Sequence, residues 1–435
     1  MMKPAEDPGT VAGAGEAAGK RSLRGEVGTY TAMLVGLVLA AGCIAASPFL
    51  QPPFLLSILV ILCSGILYLI RGTRALSLSV IVLAVLYGIG WLPLLIFVTT
   101  VGIVTAGEVA YRASEGGHHR YLTYLAASSA GGSLVILYLA AVGYQELRPL
   151  VLLLVLLGVL VAVLLKAALQ GRSDLLMVEG LGVAMTMYLF SDLAMPVENM
   201  ALLTAAAVIA LSFGYFAYRL RVADVSGLFS GAIVGIVIIV FADVRWFLVM
   251  LAFLVIGSAS TRYRYEVKAA AGIAESHGGV RGYINVFANG LDGVAAAVLY
   301  GLSGGSPLAV ALYLGSIATA AADTMGGEIG MTSRDPLLIT TFERVPKGTN
   351  GGVTVLGEGA ALLASALIAL AATALGIGDL RLLIAVTIAG FLGSNVDSVV
   401  GALFENKGFI GNAGTNLAAT LAGGLIALVL LLLIP

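Results

Sequence analysis

Apolar residues in this chain are grouped into block after block of about 17 to 25, divided by short polar stretches, and that spacing governs what the chain can fold into. A helix rises about 1.5 Å per residue, so each block is long enough to cross about 30 Å of hydrocarbon. Composition closes the alternative of a water-soluble fold. Of 435 residues 60% are hydrophobic and 11% charged, against about 25% charged in ordinary soluble domains. Too little polar surface exists to cover such a chain in water.

The apolar runs place helices near 29–46, 54–70, 75–89, 92–110, 121–143, 149–168, 175–191, 200–218, 225–241, 246–261, 283–302, 308–325, 353–375, 381–404 and 412–434. With the N-terminus on the cytoplasmic side, 20 basic residues fall on that side and only Arg148, Arg245 and Arg381 on the other. Positive charge marks cytoplasmic loops. The expected fold is therefore all-α: a polytopic transmembrane helical bundle of about 15 spans, N-in and C-out, multi-pass in the plasma membrane. Residues 1–26, rich in Ala, Gly and Glu, read as a disordered cytoplasmic tail, not a cleavable signal. The runs over 27–199 read as a transmembrane scaffold, and those over 200–435 as the domain that carries a site.

A net charge of −1 leaves no basic stripe to follow phosphates, which excludes nucleic acid as a partner. The lipid bilayer is the partner expected instead. Cys43 and Cys63 lie inside apolar runs and read as packing residues. Gly227, Gly231 and Gly235, four apart in one span, read as a close-packing stripe. Glu108 and Glu179 stand alone in the first half, where each is expected to snorkel or to hydrogen-bond locally.

Polar residues cluster only in the second half. NVFANGLDG puts Asn285, Asn289 and Asp292 on one helix face, starting at its cytoplasmic end. The next span ends in AAADTMGGEIG and returns Asp323 and Glu328 to the same side. The loop that follows carries Arg344 and then Lys347, Gly348, Thr349, Asn350, Gly351 and Gly352 immediately before a helix. Glycines admit backbone close to a ligand, and a helix start offers unsatisfied N–H groups, so this run reads as a site for an anion such as phosphate. SNVDSVVGALFE then brings Asn395, Asp397 and Glu405 back, and the last span opens with Asn412 and Asn416. Ionisable groups inside a span cost about 2.5 kcal/mol or more each on insertion scales, so several together point to a site.

The runs RYRYEVKAAAGIAESHGGVRGYINVFANG, ADTMGGEIG, LITTFERVPKGTNGGVTVLG and GFLGSNVDSVVGALFE resemble the uncharacterised integral-membrane family that includes plant phytyl-phosphate kinase. The likeness spans roughly residues 200 to 435. More distantly, an Asp-Thr near a helix end followed by a Lys-containing, Gly-rich loop is similar to phosphatidate cytidylyltransferases and dolichol kinases, which use CTP. The resemblance implies Mg held by Asp323 and Asp397, nucleotide phosphates held by Lys347 and the backbone after it, and a polyprenyl phosphate as the lipid substrate. Phosphoryl transfer needs mainly positioning and charge neutralisation, which suits these residues. No complete Walker A motif occurs.

Three functions compete at this stage. One is a kinase that converts a polyprenyl monophosphate to the diphosphate with CTP or another nucleoside triphosphate. A second is a CTP-dependent cytidylyltransferase that makes a CDP-activated lipid at the same site. The third is a transporter, which the many spans suggest but the absence of a repeat between the halves and the position of the polar groups at span ends disfavour.

Overall fold

Residues 31–434, apart from 32, 71, 115, 118, 194–196 and 198, are described by a computed structural model. The tail expected over residues 1–26 lies outside the described residues. Among the described residues, eleven helices are long and apolar enough to cross a membrane, and four shorter apolar helices accompany them. The protein is an all-α polytopic membrane protein. Its chain divides into two compact units, Met1–Ala194 and Met195–Pro435.

The N-terminal unit contains α1 (Met33–Ala46), α2 (Pro53–Tyr68), α3 (Arg74–Gly88), α4 (Leu94–Ala113), α5 (His119–Ala141), α6 (Pro149–Ala168) and α7 (Leu175–Asp192). Helix α4 is buried along most of its length, packed on α5 and α7. Gly102 and Gly131 let α4 and α5 close up, because a β-carbon at Gly131 would stand 2.5 Å from the Gly102 carbonyl oxygen.

The C-terminal unit contains α8 (Met200–Arg219), α9 (Val225–Phe241), α10 (Val244–Arg262), the short α11 (Tyr265–Ala270), α12 (Tyr283–Leu302), α13 (Pro307–Gly330), α14 (Val355–Ala374), α15 (Leu380–Val400) and α16 (Asn412–Leu433). Side-chain oxygens open several of these helices: Asn199, Asp224, Asp243, Thr354 and Asp379 each accept a backbone N–H from the first turn. Such caps satisfy donors that the helix itself leaves free. Helix α13 is the axis of the unit, packing on α10, α12, α14, α15 and α16. Around it the ring of Trp246 packs on that of Tyr313, tilted by 40° with centroids 4.5 Å apart, and the Tyr313 hydroxyl donates to the Trp246 carbonyl at 2.6 Å.

Three departures from the sequence reading shape the site. Helix α13 continues to Gly330, five residues beyond the expected end at 325, since its glycines join two helices instead of stopping one. A β-carbon at Gly326 would meet Ala361 at 3.1 Å, and one at Gly330 would meet Gly357 at 3.2 Å, so α14 lies directly against this stretch. The loop between α13 and α14 is closed by a small antiparallel hairpin, β1 (Leu337–Leu338) with β2 (Gly352–Val353). Helix α15 ends within a residue of the expected 404, but its last turn, Gly401–Glu405, is wound as a π turn, with the Asn406 N–H bonded to the Gly401 carbonyl at 3.1 Å.

Candidate functional site

At the end of the C-terminal unit where α12 and α16 begin and α13 and α15 finish, a cavity of about 350 Å³ opens. Both α13 and α16 pack on α12 and on α15, so residues of α12 and α15 enter the cavity from different walls. Asp323 of α13 and Asp397 of α15 meet there with their carboxyl groups side by side, and the charge of Glu405 acts on both. The expected span ends at 325 and 404 put Asp323 two residues and Asp397 seven residues from the membrane face, an offset of about 7.5 Å at about 1.5 Å per residue. The longer α13 removes the offset: Asp323 stands seven residues before the end of α13, Asp397 eight before the end of the π turn. Their depths match.

One oxygen of Asp397 is buried with no hydrogen-bond partner. Carboxylates this close repel unless they share a proton or a cation stands between them. Among the described residues no set of three or more His, Cys, Asp or Glu side chains forms a closed metal cage. A hard divalent ion completed by substrate phosphates needs no such cage, since one or two carboxylates suffice. The pair and its orphan oxygen therefore fit Mg.

The Lys347–Gly352 run forms part of the cavity wall and is held in place by α15. Gly351 has φ +79°, and a β-carbon there would stand 2.5 Å from the Ser398 carbonyl, so both the conformation and the close approach require glycine. The Asn406 amide secures the same run by donating to the Asn350 carbonyl at 2.9 Å. Thr349 and Gly352 use their N–H groups inside the loop, so backbone donors for a ligand must come from the rest of the run. Lys347 is exposed at the mouth.

The remaining sequence candidates divide between wall and support. Asn285, Asn289, Glu328, Asn412 and Asn416 line the cavity with Gly348, Thr349 and Asn350. The Asn416 amide donates to Asn289 at 3.4 Å, and its own oxygen is buried without a partner. Three do not reach the wall. Asp292 accepts from Thr420 at 2.8 Å one turn deeper. Asn395 donates to Glu358 at 3.0 Å, holding a carboxylate that does line the cavity. Arg344 is exposed and pairs with Asp335 at 3.6 Å.

Glu328 is a brace as well as a wall residue. It forms an ion pair with the buried Lys268, whose ammonium also donates to the Thr261 carbonyl at 2.8 Å and so ties α11 to the end of α10. The sequence does not show this pairing, because the partners lie 60 residues apart. It also does not single out Glu275, Arg281 or Glu358 as cavity residues, whereas Glu405, expected on this side, does line the cavity. Arg281 had a legible signal, standing four residues before Asn285 and eight before Asn289. Burial holds its guanidinium below its ordinary pKa, with the charges of Glu275 and Glu328 acting the other way.

In the N-terminal unit, Glu108 and Glu179 are not isolated. They converge on Lys166, at 2.6 and 3.0 Å, inside the unit. Arg112 pairs with Glu108, and the Tyr124 hydroxyl donates to Glu179. Glu108 does bond locally, to Arg112 four residues on, but neither carboxylate snorkels, because α4, α6 and α7 each turn one charged residue inward, where the opposite charges neutralise one another.

The fold and this cavity define a multi-pass membrane protein with a polar chamber at one end of its C-terminal helices. Over residues 208–432 the chain matches the family described as integral membrane protein DUF92, and it belongs to that family. It is similar to an uncharacterized membrane protein of Methanocaldococcus jannaschii, with 37% identity over 213 residues, 48% of this chain and 86% of that protein. Two Arabidopsis thaliana proteins are also similar. Protein PGR is 30% identical over 229 residues, 47% of this chain and 79% of its own length. Protein VTE6, chloroplastic, is 32% identical over 192 residues, 42% of this chain and 58% of its own. No solved structure matches.

Proposed function

We propose that this protein is a membrane-embedded, nucleotide-dependent kinase that converts a polyprenyl monophosphate to its diphosphate at the cytoplasmic face of the plasma membrane, with CTP as the donor. One observation carries the reading: two carboxyl groups side by side, one with an unpartnered buried oxygen, inside a cavity whose wall is a glycine-rich loop bearing a lysine. That is the equipment phosphoryl transfer requires, since the reaction asks for charge neutralisation and alignment more than for covalent help from the protein. The resemblance to the family that includes plant phytyl-phosphate kinase supports an isoprenoid phosphate as acceptor. The excess of basic residues on one side supports the cytoplasmic face.

In the reaction, an oxygen of the lipid monophosphate bonds to the γ-phosphorus as the bond from that phosphorus to the β,γ-bridging oxygen breaks. The products are a lipid diphosphate and a nucleoside diphosphate. The attacking oxygen already carries negative charge, so no general base is needed. Lys347 and the loop backbone hold the donor phosphates. Asp323 and Asp397 would hold Mg, which when bound offsets the charge of the reacting phosphates. The apolar flanks of α12 and α16 keep the isoprenoid tail in lipid while its head enters the cavity.

The test uses purified protein in detergent with a polyprenyl monophosphate and CTP labelled at either the α or the γ phosphorus. Transfer of γ label to lipid is the expected result. Transfer of α label with release of pyrophosphate would replace this reading with cytidylyl transfer, and no consumption of CTP with any polyprenyl phosphate would overturn both.

A further inference from the structure

Arg281 stands where a second phosphate would bind. Its backbone is fixed at both ends: its N–H donates to the Val222 carbonyl at 2.9 Å, and its carbonyl accepts from the Asp224 N–H at 3.1 Å. Two glycines make room for it. A β-carbon at Gly227 would stand 2.2 Å from its carbonyl oxygen, and one at Gly257 would stand 2.4 Å from a terminal guanidinium nitrogen. The first glycine of the expected stripe, Gly227, therefore makes room for the backbone of this arginine; Gly231 has nothing within 4 Å, and Gly235 closes on Phe247 and Ala210 of neighbouring helices as expected. The ring of Phe253 covers the guanidinium at 5.3 Å.

A cation built in this way normally has a counter-charge, yet Arg281 makes no ion pair among the described residues. Both nearby carboxylates are engaged elsewhere, Glu328 with Lys268 and Glu275 with Thr261 at 3.4 Å. A half-buried guanidinium that faces a cavity without a partner is poised for an anion, and its planar fork suits phosphate. Asn285 and Asn289 continue the same wall one and two turns deeper, adding amides that accompany a head group toward the bilayer.

We propose that Arg281, with Asn285 and Asn289, forms the pocket for the phosphate of the lipid acceptor, separate from the Lys347 loop that takes the donor. This rests on the reading of the protein as a lipid-phosphate kinase, and it assigns the two phosphates to different walls: the acceptor to α12, the donor to the loop clamped on α15. Arginine stays charged here despite its burial, so the pocket keeps its anion affinity across the whole physiological range.

The test measures binding of dodecyl phosphate, inorganic phosphate and CTP to full-length protein in detergent. Charge-assisted hydrogen bonds of the arginine kind correspond to about tenfold or more in affinity. Arg281→Gln is expected to weaken dodecyl phosphate by that factor while CTP changes less than about twofold, and Lys347→Ala is expected to do the reverse. Arg281→Lys, which keeps the charge and loses the fork, is expected to fall between. Wild-type protein should bind inorganic phosphate far more weakly than dodecyl phosphate; equal affinity would mean that the site reads a free anion and would overturn a lipid pocket. So would unchanged dodecyl phosphate binding in a folded Arg281→Gln, or a loss confined to CTP. If Arg281→Gln fails to fold, Arg281→Lys decides alone: unchanged dodecyl phosphate affinity sinks the assignment. Should the wild type bind dodecyl phosphate through Arg281 but transfer no phosphoryl group, the kinase reading fails and the pocket survives.

Discussion

The two units bury charge in opposite ways. In the N-terminal unit Lys166 and Arg112 face Glu108 and Glu179, two cations against two anions, with Tyr124 taking up a further hydrogen bond. The one Glu179 oxygen without a hydrogen bond still faces the Lys166 ammonium at 3.0 Å, so every buried charge there has an opposite charge beside it. The C-terminal unit instead sets two carboxyls against each other, leaves an Asp397 oxygen without a partner, and leaves Arg281 without an ion pair among the described residues. A saturated cluster holds helices together, whereas an unsaturated one waits for a ligand. The number of buried charges does not distinguish scaffold from site; their balance does.

Breaking the saturated cluster has the largest expected effect. Lys166→Ala should lower unfolding stability in detergent by about 3–5 kcal/mol, because it strands the buried Glu179 and leaves Glu108 with Arg112 alone. Joining Lys166→Met to Glu108→Gln and Glu179→Gln should recover most of that loss. A triple variant as unstable as the single one would show that the cluster is more than a neutral brace. In the unsaturated cluster, Asp323→Asn or Asp397→Asn should leave stability nearly unchanged and cut Mg-dependent turnover by about 100-fold or more, about 2.7 kcal/mol. Retained turnover in both would remove the metal pair. Gly351→Ala should cost about 1–3 kcal/mol through backbone strain, and more through its clash with α15, seen together as a lower melting temperature and weaker nucleotide binding. Lys347→Ala should weaken nucleotide binding about tenfold at constant melting temperature, since the side chain is exposed. The smallest perturbation concerns orientation: Ser333→Cys should react with a membrane-impermeant thiol reagent only from the cytoplasmic side, and labelling from outside would reverse the orientation.

Much of this was legible because period and length are local properties. Each apolar block has its helix, and the order Asp323, Lys347, Asp397 along the chain marks the residues that gather at the cavity. What could not be read is what depends on partners distant in sequence. GGEIG looks like a helix end until α14 lies against it. Lys166 gives no hint that Glu108 and Glu179, on two other helices, will share it. Lys268 pairs with Glu328 through a short helix too small to announce itself in hydropathy. Arg344 shows the opposite error: adjacency to Lys347 in sequence suggested a shared role, but the turn around Phe342 at φ +59° and the pairing with Asp335 direct it outward.

The π turn at the end of α15 decides which way a carboxylate points. Successive residues of an α-helix are rotated by about 100°, so Glu405, eight residues after Asp397, would in a regular helix stand about 80° around the axis from it. A π turn absorbs one extra residue without advancing the winding, which brings the separation to that of seven residues, about 20°. Glu405 is thereby returned to the azimuth of Asp397, where Thr415 of the neighbouring helix donates to it at 3.1 Å. A substitution that regularised this turn without deleting a residue would swing Glu405 away from the aspartate pair while every hydrophobic contact of α15 up to Asp397 stayed in register.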